Sequence, residues 1–206
     1  MIVEMRIYSL KPGRAQAVLD RIAKALPSRV KLSPLGAMWQ TDSGRLDQLI
    51  HLWPYADLAE RTTVRGRFSE LTDWPVRNDD DIAESETRIM RPAPFCPPLV
   101  PRRLGGIYEI CVDTLRPHGL KRVVDAWAPG IEARSKLAPL AGAWSSEIGP
   151  LNQWTHIWAY DSYEHRVAVR RQAAADGIWP PEADPSEFYQ RRERIICHPA
   201  PWSPLN

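Results

Sequence analysis

The two halves of this chain carry matching residues at a constant spacing of 105 positions. One run of matches consists of Leu46, Gln48, His51, Trp53 and Tyr55, which return as Leu151, Gln153, His156, Trp158 and Tyr160. Further matches extend from Ile2 and Ile107 to Trp74 and Trp179. A repeated unit of about a hundred residues is too long for a solenoid repeat and has the size of a small domain. The sequence therefore predicts two copies of one fold.

The repeat divides the 206 residues into two units that are joined by a proline-rich connector. We predict a first unit over residues 1–95, a connector over residues 96–104 and a second unit over residues 105–206. The prolines favour an extended, semi-rigid connector rather than a flexible tether. Because 44% of the residues are hydrophobic, each unit can form a modest core but gains by packing on the other.

Composition argues against several classes of protein. A net charge of +2 without a basic run argues against nucleic-acid binding. No apolar run approaches the roughly 20 residues that span a bilayer, and the first residues lack the pattern of a secretory signal, so we expect a cytoplasmic protein. Cys96, Cys111 and Cys197 are an odd set without metal-ligand spacing, which predicts free thiols.

Each unit has the pattern strand, helix, strand, strand, helix, strand. In the first unit we predict strands over Ile2–Ser9, Leu35–Thr41, Gln48–Trp53 and Glu84–Met90, with helices from about Arg14 to Leu26 and after a capping Asp57. The second unit repeats this order, with Ser162 as the matching cap and a helix interrupted near Pro129 and Gly130. The βαββαβ order is ferredoxin-like, with both helices on one face of an antiparallel sheet. Two such sheets packed face to face would form an α+β barrel within one chain.

Two segments carry a family likeness. The stretch from Ile148 to Ser162, with Arg166 further on, resembles the signature of the NIPSNAP family, as does the opening from Glu4 to Gly13. The likeness covers nearly the whole chain as two tandem copies. It implies a dimeric α+β barrel whose two halves are the ferredoxin-like units of one chain.

The two units depart from the family pattern in different ways. The first has Ser43-Gly44-Arg45-Leu46-Asp47 where the second keeps the family-like Ile148-Gly149-Pro150-Leu151-Asn152. The second has Cys111 and Asp113 where the first has Arg6 and Tyr8. Two identical pockets are therefore not expected. One working half with one supporting half fits this asymmetry, and sequence drift would produce the same picture.

Alternate side chains of a strand share a face, which sorts the residues of the first and third strands. One face of the first strand is apolar and carries Val3, Met5 and Ile7, whereas the other carries Glu4, Arg6 and Tyr8. One face of the third strand carries Leu49, His51, Trp53 and Tyr55, with Trp154, His156, Trp158 and Tyr160 as counterparts. We expect the apolar face to meet the helices and the face with aromatic residues and histidines to line the barrel interior.

Each of these histidines has a glutamate within reach, because the first and third strands are neighbours in this fold. Glu4 would approach His51, and Glu109 would approach His156. A carboxylate beside an imidazole fixes its tautomer and raises its basicity, as general acid–base catalysis requires near neutral pH. We therefore predict these four residues as catalytic candidates.

Other side chains are predicted to bind a substrate. Arg6 could hold a carboxylate or enolate oxygen, and a tyrosine could donate a hydrogen bond to it. Indoles would wall an apolar or planar ligand. The predicted binding set is Arg6, Tyr8, Trp39, Trp53, Tyr55, Trp144, Trp158 and Tyr160. In the alternative interpretation, the histidines and tryptophans fill the core and each histidine is hydrogen-bonded to its glutamate.

The main functional hypothesis is a barrel that binds a small apolar or aromatic metabolite, which could also be acidic, and that could catalyse isomerisation or cyclisation without a cofactor. Two alternatives stay open: a non-catalytic protein-interaction module and a cofactor-free monooxygenase. No metal site is predicted, because one histidine and one glutamate per unit are a thin ligand set. The sequence leaves open which unit works, what the substrate is and whether chains associate into a homo-oligomer.

Overall fold

The computed structural model describes residues 1–74, 76, 80–181 and 185–206. These residues form eight antiparallel strands that close into a barrel in the order β1-β3-β2-β8-β5-β7-β6-β4. The strands are β1 (Ile2–Leu10), β2 (Ala37–Ser43), β3 (Gln48–Tyr55), β4 (Ile82–Pro92), β5 (Ile107–Leu115), β6 (Leu140–Ile148), β7 (Gln153–Tyr160) and β8 (Tyr189–Pro199). Each unit contributes four strands in the ferredoxin-like order, 4-1-3-2 and 8-5-7-6. The predicted pair of ferredoxin-like units forming one barrel is confirmed.

Helices cover the outside of both half-barrels. They are α1 (Ala15–Arg29), α2 (Leu58–Gly66), α3 (Gly119–Trp127), α4 (Ile131–Leu137) and α5 (Tyr163–Ala175). As predicted, the Asp57 carboxylate accepts from the backbone N–H of Glu60, and the Ser162 hydroxyl accepts from that of His165. The predicted interruption at Pro129 and Gly130 separates α3 from α4.

Helix α1 continues beyond its predicted end at Leu26 and contains Pro27. The final turn carries Arg29, whose guanidinium carbon lies 3.9 Å from the centre of the Trp53 ring. This buried contact holds the last turn against the sheet, although proline lacks the backbone N–H that a helix interior uses. No helix in the described ranges is both long and apolar enough to cross a bilayer.

The interior of the barrel is apolar and filled. It combines side chains of both units: Val3, Met5 and Ile7 from β1, Tyr108, Ile110 and Val112 from β5, and further residues of the other strands. The fully buried Leu205 belongs to the same core, and the partly buried Leu99 of the connector packs against it. One gap between these side chains has a volume of about 20 Å³. This gap between the described side chains is too small for a metabolite.

The predicted assignment of strand faces is wrong. The face with Glu4, His51 and Trp53 lies beneath the helices of the first unit, and the matching face with Glu109 and His156 lies beneath those of the second. The apolar faces of the two sheets meet each other instead. In a closed barrel with helices outside, both faces of every sheet are buried. Only the outer face contacts helices, whose arginines can pair with a buried glutamate. Glutamates are therefore placed on the helical side, where arginines of α2 and α5 pair with them.

The four tryptophans expected to wall one cavity are divided between two layers. Trp39 and Trp144 belong to the barrel interior. Trp53 lies beneath the helices of the first unit and Trp158 beneath those of the second. One shared aromatic pocket is therefore ruled out by the topology.

Candidate functional site

A cavity of about 190 Å³ lies beneath the helices of the second unit. Its wall is built by β5, β7, β8, α4, α5 and the segment after α5. The lining residues are Glu109, Cys111, Arg134, His156, Trp158, Tyr160, Arg170, Ala173, Ala174, Trp179, Pro180, Arg192 and Arg194. The predicted residues Glu109, His156, Trp158 and Tyr160 are thus brought together, although on the helical side of the sheet.

Arg134 of α4 is 2% exposed and lines this cavity. Its guanidinium carbon lies 4.1 Å from the centre of the Trp158 ring, and its Nη2 donates to the Tyr160 hydroxyl at 3.0 Å. Its Nη1 has no hydrogen-bond partner among the described residues. Burial lowers the pKa of Arg134, which the hydrogen bond to Tyr160 opposes. A buried guanidinium with an unused donor is costly, and an anionic oxygen is its natural partner.

Glu109 is held by two arginines of α5. Its Oε1 accepts from Arg166 at 2.5 Å and from Arg170 at 3.1 Å, and its Oε2 accepts from the Tyr160 hydroxyl at 3.3 Å. Burial raises the pKa of Glu109, but the hydrogen bond and charge of Arg166 and the charge of Arg170 outweigh it, so the pKa lies below its usual value. Glu109 is therefore an anion that anchors α5 to the sheet.

His156 pairs with Asp113 rather than with Glu109. Its Nε2 lies 3.2 Å from Asp113 Oδ2, and its Nδ1 accepts from the indole N–H of Trp158 at 2.9 Å. Burial lowers the pKa of His156 in spite of the carboxylate, so the ring is neutral, with the proton on Nε2. The expected Glu109–His156 pair does not form because Cys111 is opposite His156 in the sheet and Asp113 lies one step further along the same face.

Asp113 is buried among positive groups. Burial raises its pKa, but the hydrogen bond from His156 and the hydrogen bond and charge of Arg194 at 2.6 Å hold the pKa below its usual value. Burial also raises the pKa of the Cys111 thiol, which stays protonated. In the described part of the chain, four arginines and one carboxylate line the cavity, so its charge is positive even with Asp113 behind the wall.

The first unit repeats the framework of this site. Glu4 accepts from Arg61 at 2.8 Å, and Arg29 Nη2 donates to the Tyr55 hydroxyl at 3.0 Å. The matched pairs of the two units are Glu4 and Glu109, Arg29 and Arg134, His51 and His156, Trp53 and Trp158, Tyr55 and Tyr160, Arg61 and Arg166, Arg65 and Arg170, and Trp74 and Trp179. The space between the first set is only about 10 Å³.

His51 also lacks its expected glutamate. Its Nδ1 accepts from the indole N–H of Trp53 at 2.6 Å, and the Tyr8 ring lies 4.9 Å away, edge to face. Its Nε2 has no partner in the described ranges. Burial lowers the pKa of His51 well below its usual value, and the charges of Arg6 and Arg29 add to the shift. His51 is therefore a neutral core residue in contact with Tyr8.

Sequence reasoning missed six of the residues that line the cavity: Cys111, Arg134, Arg170, Ala173, Arg192 and Arg194. It also missed Asp113, which lies behind the wall and pairs with His156. Arg29 and Arg134 match at the repeat spacing, as do Arg65 and Arg170, so the repeat itself contained a signal for two of them. No comparable signal marks Arg194, whose counterpart is Ile89. Within the described ranges, no three histidine, cysteine, aspartate or glutamate side chains are grouped so that they could hold a metal ion.

The chain matches one protein family along both units. The sequence model of the NIPSNAP family matches residues 3–97 and 108–204. Protein NipSnap homolog 3B of Homo sapiens is 27% identical over 210 residues, an alignment that covers 98% of this chain and 85% of the human protein. Protein NipSnap homolog of Dictyostelium discoideum is 25% identical over 186 residues, covering 86% of this chain and 78% of that protein.

Two solved structures that match nearly the whole chain have the same architecture but little sequence similarity. A candidate monooxygenase from Lactobacillus acidophilus has a TM-score of 0.69 and 7% identity, covering 97% of this chain and 93% of its own. A candidate monooxygenase from Fusobacterium nucleatum has a TM-score of 0.67 and 8% identity, covering 97% and 92%. At such identities the likeness shows the fold alone.

Proposed function

The chain belongs to the NIPSNAP family, and we propose that it binds a small organic anion in the cavity of its second unit. The observation that carries this proposal is Arg134, a buried guanidinium at the cavity wall with an unused Nη1 donor. Glu109 and Asp113 form their ion pairs with other arginines, and neither accepts a hydrogen bond from Nη1 of Arg134. A carboxylate of the ligand would supply the missing acceptor.

The size and lining of the cavity support a small ligand. Its volume of about 190 Å³ is close to the roughly 150 Å³ that holds one benzene molecule in an apolar cavity. Trp158 and Trp179 provide apolar wall area, and Arg170 and Arg192 line the same space with positive charge. The ligand we propose is therefore a compact anion with an apolar body, within the metabolite class expected from the sequence.

The second unit is the half that we assign this role. The corresponding space in the first unit is much smaller, about 10 Å³, because Phe68 lies where the second unit has Ala173. Arg29 there is already hydrogen-bonded through both Nη1 and Nη2. The first unit accordingly completes the barrel and supports the second.

Thermal unfolding with a panel of small anions tests this proposal. Acetate, pyruvate and benzoate would be compared with acetamide and benzamide, which have similar shapes but no charge. We expect at least one carboxylate to raise the melting temperature, neither amide to do so, and Arg134→Met to remove the effect. Arg29→Met, the matched control, should keep it. No shift with any carboxylate, or an equal shift in Arg134→Met, would overturn the proposal.

The Asp113–His156 pair favours a second candidate function, acid–base catalysis on the bound anion. His156 lies at the wall of the cavity with Asp113 behind it, where Asp113 would orient the imidazole as was predicted for Glu109. Both ring nitrogens are occupied, so a ligand must displace Asp113 or Trp158 from the imidazole before a proton can move. Deuterium exchange into pyruvate or phenylpyruvate in heavy water, followed by NMR, tests this function. Wild-type protein should accelerate exchange and His156→Gln should not; exchange no faster than in buffer for either substrate would contradict catalysis.

A further inference from the structure

In the first unit, the ring of Phe68 fills the region that corresponds to the cavity of the second unit. The ring centre of Phe68 lies 4.7 Å from the guanidinium carbon of Arg29 and 6.3 Å from the Trp74 ring, edge to face. Ala173 stands at the matching position in the second unit, with Arg134 and Trp179 at the cavity wall beside it. The second unit therefore has the arginine and the tryptophan but lacks the ring between them.

A second difference concerns the partner of the arginine. Arg29 Nη1 donates to the Ser33 hydroxyl at 2.9 Å and to the Ser33 carbonyl at 3.3 Å. Ala138 replaces Ser33 in the second unit, and Arg134 Nη1 has no acceptor within the described part of the chain. The second unit thus lacks both an aromatic ring and an oxygen atom that the first unit supplies from its own side chains.

From these two replacements we infer that the ligand of the second unit is an aromatic carboxylic acid. Its ring takes the place that Phe68 fills in the first unit, and its carboxylate takes the place of the Ser33 oxygens. This inference rests on the proposed function, because it names the class of anion that the same cavity binds.

The chemistry of the wall matches both groups. A ring facing the Arg134 guanidinium gains a cation–π interaction, and an edge-to-face contact with Trp179 reproduces that of Phe68 with Trp74. The carboxylate accepts a charge-assisted hydrogen bond from Nη1 while Nη2 keeps its bond to Tyr160. A benzoate-sized molecule also fits the volume of about 190 Å³.

Calorimetric titration with three ligands separates the contributions of ring and charge. Benzoate has both groups, cyclohexanecarboxylate lacks aromaticity and benzamide lacks charge. We expect benzoate to bind wild-type protein at least about fivefold more tightly than cyclohexanecarboxylate. Benzamide should bind at least about tenfold more weakly than benzoate.

Two variants copy the first unit into the second. Ala173→Phe places a ring in the cavity and should abolish benzoate binding. Ala138→Ser gives Arg134 an internal acceptor and should weaken benzoate binding about tenfold. Ala168→Phe adds the same ring on the exposed face of α5 and should leave binding unchanged.

The outcomes distinguish this inference from the proposed function. Equal binding of benzoate and cyclohexanecarboxylate, with both lost in Arg134→Met, would refute the aromatic class but leave anion binding intact. Binding of benzoate that survives Ala173→Phe would refute the place assigned to the ring. If none of the carboxylates binds, including acetate and pyruvate, both the inference and the proposed function fail.

Discussion

The Nε2 atom of His156 lies 3.2 Å from the carboxylate of Asp113, in a pair that has no equivalent in the first unit. The matching residues there are His51 and Tyr8, which are in ring contact and share no ion pair. The same imidazole framework thus has a charged partner in the unit with the cavity and an aromatic one in the unit without. This asymmetry can be tested by changing each partner separately.

We predict that Asp113→Asn lowers the free energy of unfolding by about 2 kcal/mol at pH 7, because Arg194 loses its buried charged partner. The pKa of Asp113 is lower in the folded protein than in the unfolded chain, so its stabilisation is present above about pH 4 and is lost as the pH falls through the folded pKa. Urea unfolding between pH 7 and pH 3 measures both effects. The variant should lose less stability with acid than wild type; a parallel pH profile would contradict the assignment.

The buried histidines should make the free energy of unfolding depend on pH in a second, higher pH range. Burial lowers the folded pKa of His51 well below that of the unfolded chain, so the unfolded chain takes up the proton first. Stability therefore falls as the pH drops below about 6.5, by at most about 1.4 kcal/mol per pH unit. His51→Gln should flatten this slope in urea titrations from pH 7.5 to 5. His156→Gln should flatten the slope less, since Asp113 opposes the lowering of the His156 pKa. A larger effect of His156→Gln than of His51→Gln would contradict this difference between the two histidines.

The fold could be predicted from the sequence because its signals are local and are present twice. The caps at Asp57 and Ser162 and the break at Pro129 each specify a structural feature without reference to distant residues, and the repeat spacing shows that the unit is duplicated. Two copies of a ferredoxin-like sheet leave two apolar faces, and a barrel is the arrangement that buries both.

The location of the site could not be obtained in the same way. The alternation along β1 separates Met5 from Glu4 and Arg6 correctly, but it does not say which face meets the helices when both are buried. That choice depends on Arg61 and Arg166, which reach the glutamates from helices distant in sequence. The cavity itself arises from small residues, and an alanine carries no pattern that marks an empty space.

The presence of Phe68 in one unit and of Ala173 at the matched position in the other should affect stability as well as binding. Phe68→Ala removes a ring that packs on Arg29 and should lower the free energy of unfolding by about 2 kcal/mol, less than for a fully buried phenylalanine. Ala173→Phe fills a pre-existing cavity and should change stability by less than about 1.5 kcal/mol. Chemical denaturation of both variants measures the difference. A large loss in Ala173→Phe would mean that the two sites are not equivalent in shape.

The last residues of the chain contribute to the barrel core, which leads to a prediction that does not involve the cavity. Leu205 is fully buried in the core shared by the two units, and the Ser203 hydroxyl accepts from the backbone N–H of Met38 at 3.0 Å. Leu205→Ala should lower the free energy of unfolding by about 2–4 kcal/mol, because it leaves a void in the filled interior. Val100→Ala, at an exposed position of the connector, should change it by less than about 0.5 kcal/mol. Equal effects of the two substitutions would show that this segment does not stabilise the core. A selective loss of stability in Leu205→Ala, with carboxylate binding retained at pH 7, would separate the structural core from the ligand site.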